Sequence, residues 1–212
     1  MKNLTIGGIF QNSFQLGLNQ ATPLFFTILL WILTIWIPYV NVGTTIGIIG
    51  AIIALGRGEK LNPTGIFDPK YRSYIGEFFL LVGFMLVGQA LGYAFLVIPG
   101  MVLQIAWILA PYLLVDKNMT PLDAIKKSNE LTNGYKWTIF FGIFLFIFAV
   151  TILYIIASAL IGWIFIQMGL LNSTPAIIIS MVVTVALYAI WMSMTFSMFG
   201  YIYSALSDSS KK

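Results

Sequence analysis

Acid–base or metal chemistry in this chain would fall to Asp116, Asp123 and Glu130, its one cluster of carboxylates. The sequence holds no histidine and no cysteine, which removes thiol nucleophiles, disulfides, Cys/His zinc sites, haem ligands and imidazole bases. The three acids stand among Lys117, Lys126, Lys127 and Lys136. Asp123 and Lys127 are four apart, as are Lys126 and Glu130, so they read as pairs along one solvated helix face, worth about 0.3 kcal/mol each. We therefore expect no catalytic residue, no metal and no cofactor. Gly56-Arg57-Gly58 fits no nucleotide motif, and the basic residues are too dispersed for nucleic acid.

The remaining chemistry is neutral. Gln89 and Gln104 fall inside an uncharged run, with Thr44, Thr45, Thr151, Ser158, Gln167, Thr184, Ser193, Thr195 and Ser197 in similar settings. Gln89 and Gln104 either line a polar intramembrane pocket or make one helix–helix hydrogen bond, worth about 1 kcal/mol. Proton-coupled carriers need a carboxylate inside the membrane and voltage sensors need arginines there. No charged residue falls inside an expected span.

The elements that must carry these residues follow from where charge is allowed. The chain is 59% hydrophobic and 8% charged, against about 25% charged in a soluble domain, so it belongs in a membrane. Its charges are confined to Lys2 and to residues 57–77, 116–136 and 208–212. A spanning helix needs about 20 apolar residues. The uncharged run 3–56 then predicts spans near 21–38 and 42–56. Run 78–115 predicts spans near 78–97 and 100–115, turning at Ile98-Pro99-Gly100. Run 137–207 predicts two long helices near 138–168 and 175–206. Interfacial helices are expected near 5–18, 63–68 and 121–133. The first has Ile6, Ile9, Phe10, Phe14 and Leu18 on one face. The second follows Asn62-Pro63 and Asp68-Pro69. The third opens on a Thr120-Pro121-Leu122-Asp123 cap and closes at Gly134. Leu122, Ile125 and Leu131 are expected to face the bundle or bilayer.

The fold class is thus an all-α polytopic membrane protein, one domain over 1–212, with six spans as three hairpins. Gly8-Ile9-Phe10 and Gly65-Ile66-Phe67 hint at a repeat of surface helix plus hairpin, or simply at interfacial helices beside loops. The two Gly-x-x-x-Gly segments, 43–47 and 88–92, suit either a dimer face or packing within one bundle. Pro111 should kink the fourth span. No cleavable leader is expected, since the first apolar stretch is too long and lacks a small-residue cleavage site. At about 1.5 Å per residue the two last helices overshoot a hydrocarbon core of about 30 Å. The tip at Gly169–Pro175 is therefore expected to stand farthest from the midplane and to rest on the other turns or on a second copy.

Ile98-Pro99-Gly100, Pro111-Tyr112, Asp116, Pro121-Leu122-Asp123-Ala124, Ser128, Gly134 and Trp137 together form a pattern. It resembles a broad bacterial family of six-span integral membrane proteins, similar to the membrane domain of glycerophosphodiester phosphodiesterases. Asn129 departs from that pattern, where an aromatic residue often follows the serine. The resemblance implies a bacterial cytoplasmic (inner) membrane and six spans. It implies no phosphodiesterase activity, because no catalytic domain accompanies it. The expected function is binding of membrane lipid or a protein partner at the cytoplasmic face, with a homo-oligomer as one form of partner. The alternative is a passive channel or permease for a small neutral or apolar solute. Candidate headgroup contacts are Arg72, Lys117, Lys126, Lys127 and Lys136, since a cation near an anionic surface contributes about 1 kcal/mol. The same lysines could serve topology alone.

With two spans per run, every Lys and Arg returns to one side, which the positive-inside rule makes cytoplasmic along with both termini. Lys127→Cys, in this cysteine-free chain, should be labelled by a membrane-impermeant maleimide only after cells are opened. Labelling from outside intact cells would overturn the topology.

Overall fold

The structure, a computed structural model, describes residues 4–167 and 174–207. Among the described residues the chain is all-helical. Helices α1 (Ile6–Asn19), α2 (Ala21–Thr34) and α3 (Val40–Gly56) are followed by 3₁₀ turns at Pro63–Phe67 and Pro69–Tyr74. Then come α4 (Ile75–Phe95), α5 (Val97–Ala106), α6 (Ala110–Lys117), α7 (Pro121–Thr132), α8 (Lys136–Gln167) and α9 (Thr174–Ser207). The tip at Gly169–Pro175 falls largely outside the described residues, as do Lys2, Asp208, Lys211 and Lys212.

Four stretches are long and apolar enough to cross a bilayer: Pro69–Phe95, Val97–Lys117, Lys136–Gln167 and Ile177–Ser207. A fifth would be α1 with α2, but they meet at 81°. Six spans do not emerge from helix length. At 17 residues α3 is about 25 Å long, short of a full crossing. Its apolarity has another cause: Thr44, Ile46, Ile48, Ile49, Ile52, Ile53 and Leu55 are all buried by the protein's own elements. A helix apolar all round is either a span or a core helix, and composition does not separate the two.

Other boundaries move for local reasons. The turn expected at 98–100 lies at Leu96, which is extended, while Pro99 sits in the first turn of α5, where no backbone N–H is needed. The span expected at 100–115 breaks between Ala106 and Ala110, ahead of Pro111 at the start of α6. On α1, Thr5 caps the first turn, accepting from the Gly8 N–H at 3.1 Å. Its packed face, however, is Ile9, Ser13 and Gly17. Phe14 and Leu18, expected to act with Ile9, point outward. Small residues win that face because they let α1 lie against α9: a side chain at Gly17 would meet Met194 and Ser197.

The paired Gly-Ile-Phe motifs adopt different structures, α-helix in α1 and 3₁₀ at Pro63–Phe67. Both isoleucines are fully buried, Ile9 against Gly142 and Ile66 against Gly47. Gly88 accommodates Trp107, and Gly92 lies against Gly100 and Leu103. These glycines therefore serve close packing inside this chain. The closest approach joins α3 to α9, where a Cβ on Gly56 would strike the Gly200 carbonyl at 2.0 Å. Around that crossing, residues 193–207 of α9 are largely enclosed, with Met198, Ile202 and Tyr203 in the core.

The outer halves of α8 and α9 differ. Leu153, Ile156, Leu160, Ile164, Ile177, Ile178 and Met181 are all exposed. The tip expected to rest on the other turns or on a second copy lies beside Ile164, Ile177 and Ile178, which are exposed among the described residues.

The Gly56–Gly200 crossing sets a test. Gly200→Leu should destabilise the detergent-solubilised protein by about 3 kcal/mol or more, because backbone must move to admit the side chain. Gly162→Ala, with open space around its Cβ, should leave the melting temperature within a degree or two. Equal tolerance of both would refute the close approach.

Candidate functional site: a charged cleft beside an apolar groove

Local signals aim Arg57. Helix α3 ends in a Schellman turn, with Gly58 N–H donating to the Leu55 carbonyl at 2.9 Å and Glu59 N–H to the Ala54 carbonyl at 3.0 Å. Gly58 takes φ +73°, which suits glycine. Arg57 thus projects from a fixed terminus toward Asp116 at the end of α6, and the two form an ion pair. Asp116 also accepts from the Tyr203 hydroxyl of α9 and pairs with Lys117 at 3.2 Å. Its side chain is only 7% exposed. Partial burial pulls the Arg57 guanidinium down, but the hydrogen bond and charge of Asp116 more than compensate, so its pKa is raised. The second and third charged clusters are therefore tied together.

The position of α6 depends on α7. Thr120 caps α7 by accepting from the Asp123 N–H at 3.3 Å and donating to the Asp123 carboxylate at 2.7 Å. Gly134 follows the helix at φ +82°. The face against the bundle is Pro121, Ala124, Ser128 and Thr132, whereas Leu122 is exposed. Ser128 closes the break between α5 and α6. Its hydroxyl donates to the Ala106 carbonyl at 2.7 Å and accepts from the Leu109 N–H at 3.1 Å. Thr132 adds a longer bond to Ala106 at 3.4 Å.

A cleft of about 320 Å3 opens beside Arg57, and its polar walls are Arg57, Glu59, Lys70, Tyr71, Tyr74 and Asp116. Lys70 also pairs with Asp68 at 3.2 Å. Hydrogen bonds from Lys70 hold the Asp68 carboxyl below the usual carboxylate range. An apolar cleft of about 390 Å3 lies between α3, α4, α6 and α9, walled by Ile49, Phe78, Val82, Met85, Tyr112 and Phe199 among others. A third, of about 520 Å3, lies between α5 and α8 and shares Ile108 and Phe199 with the second.

The expected site residues scatter over these features. Gln89 lines the second cleft and Gln104 the third, and Gln104 accepts from the Tyr93 hydroxyl at 2.8 Å. The two glutamines thus line adjoining clefts that share Ile108 and Phe199. Lys117 pairs with Asp116, Lys127 with Glu130 at 3.0 Å, and Lys136 donates to Asn129 at 3.0 Å. Lys126 is exposed, and Arg72 lies by Gly43 and Phe67, away from the Arg57 cleft. The i,i+4 pairs expected on α7 give way to an i,i+3 pair, because Asp123 is taken by its cap. Asp116, Asp123 and Glu130 each have a different partner. Among the described residues no three acids, histidines or cysteines are placed to hold a metal ion.

Sequence reasoning missed Arg57, Tyr203 and the Tyr71–Tyr74 wall. The signal for Arg57 was its glycine bracket, a helix C-terminus rather than a nucleotide loop. Tyr203 sits far from Asp116 in sequence, and no local pattern links them. No family model matches the chain, and no curated protein and no solved structure matches it either.

Asp116→Asn should lower thermal stability by about 1–3 kcal/mol, because Arg57 and Tyr203 lose a charged acceptor in a largely buried place. Asp123→Asn, at an exposed cap, should cost under about 1 kcal/mol. Thermal unfolding of both in one detergent checks the ranking.

Proposed function

We propose that this chain is a non-enzymatic, multi-pass protein of a bacterial inner membrane that binds lipid at a cytoplasmic face. The observation that carries this reading is where the intramembrane hydroxyls go. Thr27 donates to the Pro23 carbonyl, Thr184 to Ser180, Ser193 to Ala189, Thr195 to Trp191 and Ser197 to Ser193. Thr34 and Thr44 bond each other. Most groups that could line a solute path are bonded within the helices themselves, with Ser13 and Ser158 as exceptions. The permease alternative retains the cleft of about 120 Å3 between α8 and α9, with Ser158, Ser180 and Thr184 on its wall.

The topology we propose keeps all the charged loops cytoplasmic. The two hairpins α4–α6 and α8–α9 return each cluster to one side whether or not α1–α3 crosses, so the cytoplasmic placement of the loops does not depend on six spans. The family resemblance is offered in the same sense: Pro121, Ala124, Ser128 and Gly134 of its pattern cooperate at the α7 joint. A protein partner at the charged face of α7, or a second copy, is the companion reading.

Purified protein reconstituted in vesicles should carry no glycerol or water flux above empty vesicles. It should retain phospholipid through detergent exchange. Lys126→Gln with Lys127→Gln should cut retention of anionic lipid up to about thirtyfold, as two surface cations at about 1 kcal/mol each are lost. Solute flux without lipid retention would favour the permease.

A further inference from the structure

The polar cleft and the apolar cleft are neighbours along the bundle. Their walls adjoin on three elements: Gly50 and Ile49 on α3, Tyr74 and Phe78 where the 3₁₀ turn Pro69–Tyr74 runs into α4, and Val115 and Pro111 on α6. Taken end to end, the two clefts can serve as one groove. The groove begins at Arg57, Glu59 and Lys70 and continues into apolar walls. It then meets the third cleft at Ile108 and Phe199. Leu86, on its rim, is 63% exposed, so the apolar part opens sideways on the bundle. Each cleft falls within the size range of ligand sites, about 300–1,000 Å3.

We infer that this groove seats one zwitterionic phospholipid, with its phosphate at Lys70 and Arg57, its ammonium at Glu59, and an acyl chain along the apolar walls. This rests on the lipid-binding reading above and names its site and ligand class. The charge pattern selects the headgroup. The cleft presents two cations and two carboxylates. Arg57 faces Asp116 and Lys70 faces Asp68, so a phosphate would join those pairs through the remaining N–H donors, whereas Glu59 enters no ion pair among the described residues and is the acceptor for a cationic group. A headgroup with a single negative charge would meet Glu59 with no countercharge of its own. A free phosphate would leave the apolar walls unfilled. Only a ligand polar at one end and apolar along its length matches both parts, and only one bearing both signs matches the polar end.

Native mass spectrometry of the full chain, with phosphatidylethanolamine and phosphatidylglycerol supplied at equal concentration, tests this. The expected result is one retained phosphatidylethanolamine per chain, preferred about tenfold. Glu59→Gln should abolish the preference, and Lys70→Gln should weaken retention of either lipid about tenfold. Val82→Trp, filling the apolar wall, should displace the lipid while the protein keeps its wild-type melting profile. If Val82→Trp fails to fold, Met85→Trp replaces it. Retention of lipid that ignores Glu59, Lys70 and Val82 but falls with Lys126→Gln and Lys127→Gln would overturn the groove and keep the general lipid reading. Preference for phosphatidylglycerol would overturn the headgroup assignment. No retained lipid at all would overturn both.

Discussion

A helix that breaks inside a membrane protein must find partners for the backbone groups it frees, because neither lipid nor packed side chains can supply them. Such a break falls between α5 and α6, and Ser128 supplies both the donor and the acceptor. Much of the charged end follows from that one hydroxyl. Because Ser128 reaches the break, α7 is drawn against α4, α5 and α6. Beyond the break α6 carries Asp116 to Arg57 and Tyr203. An unbroken helix would leave Ser128 without the Ala106 carbonyl and the Leu109 N–H as partners.

The rest of the bundle is held by proximity. Between helices in lipid there is little hydrophobic gain, so close backbone contact and dispersion must do more. Glycines at 17, 47, 56, 142 and 200 allow this, each meeting a different neighbour. The inner half of α9 collects several of these contacts. Aromatic pairs such as Phe10–Phe146 and Tyr112–Tyr203 fill the space left between them.

Class and caps were legible in the residues: the helical content, the Thr120 cap, the Asn62 and Asp68 starts and the Gly134 stop are all local signals. What was not legible is tertiary. Hydropathy reads α3 as a span and the fold encloses it in protein; the two are compatible, because burial by protein and burial by lipid select the same side chains. The amphipathic reading of α1 and α7 chose bulky apolar residues, of which Ile9, Phe10, Ile125 and Leu131 do pack on the core while Phe14, Leu18 and Leu122 face outward; it passed over Ser13, Gly17, Ala124, Ser128 and Thr132, which are buried. Small residues weigh little in any hydrophobicity pattern, yet they decide where backbones meet. The charged cleft was invisible for a third reason. Arg57, Lys70, Asp116 and Tyr203 come from four separate segments, and only the fold brings them together.

Helices α8 and α9 hold 32 and 34 residues, about 48 and 51 Å, whereas α4 holds 21, about 32 Å. In the proposed multi-pass arrangement these elements present unequal apolar lengths to the bilayer. Residues 193–207 of α9 are largely enclosed by protein, so the surplus that would meet lipid lies along α8 and the exposed part of α9. A bilayer of one thickness would take it up by tilt or by local thickening, at fractions of a kcal/mol for each ångström. The proposed protein would then favour thicker membrane regions, a sorting force that needs no ligand.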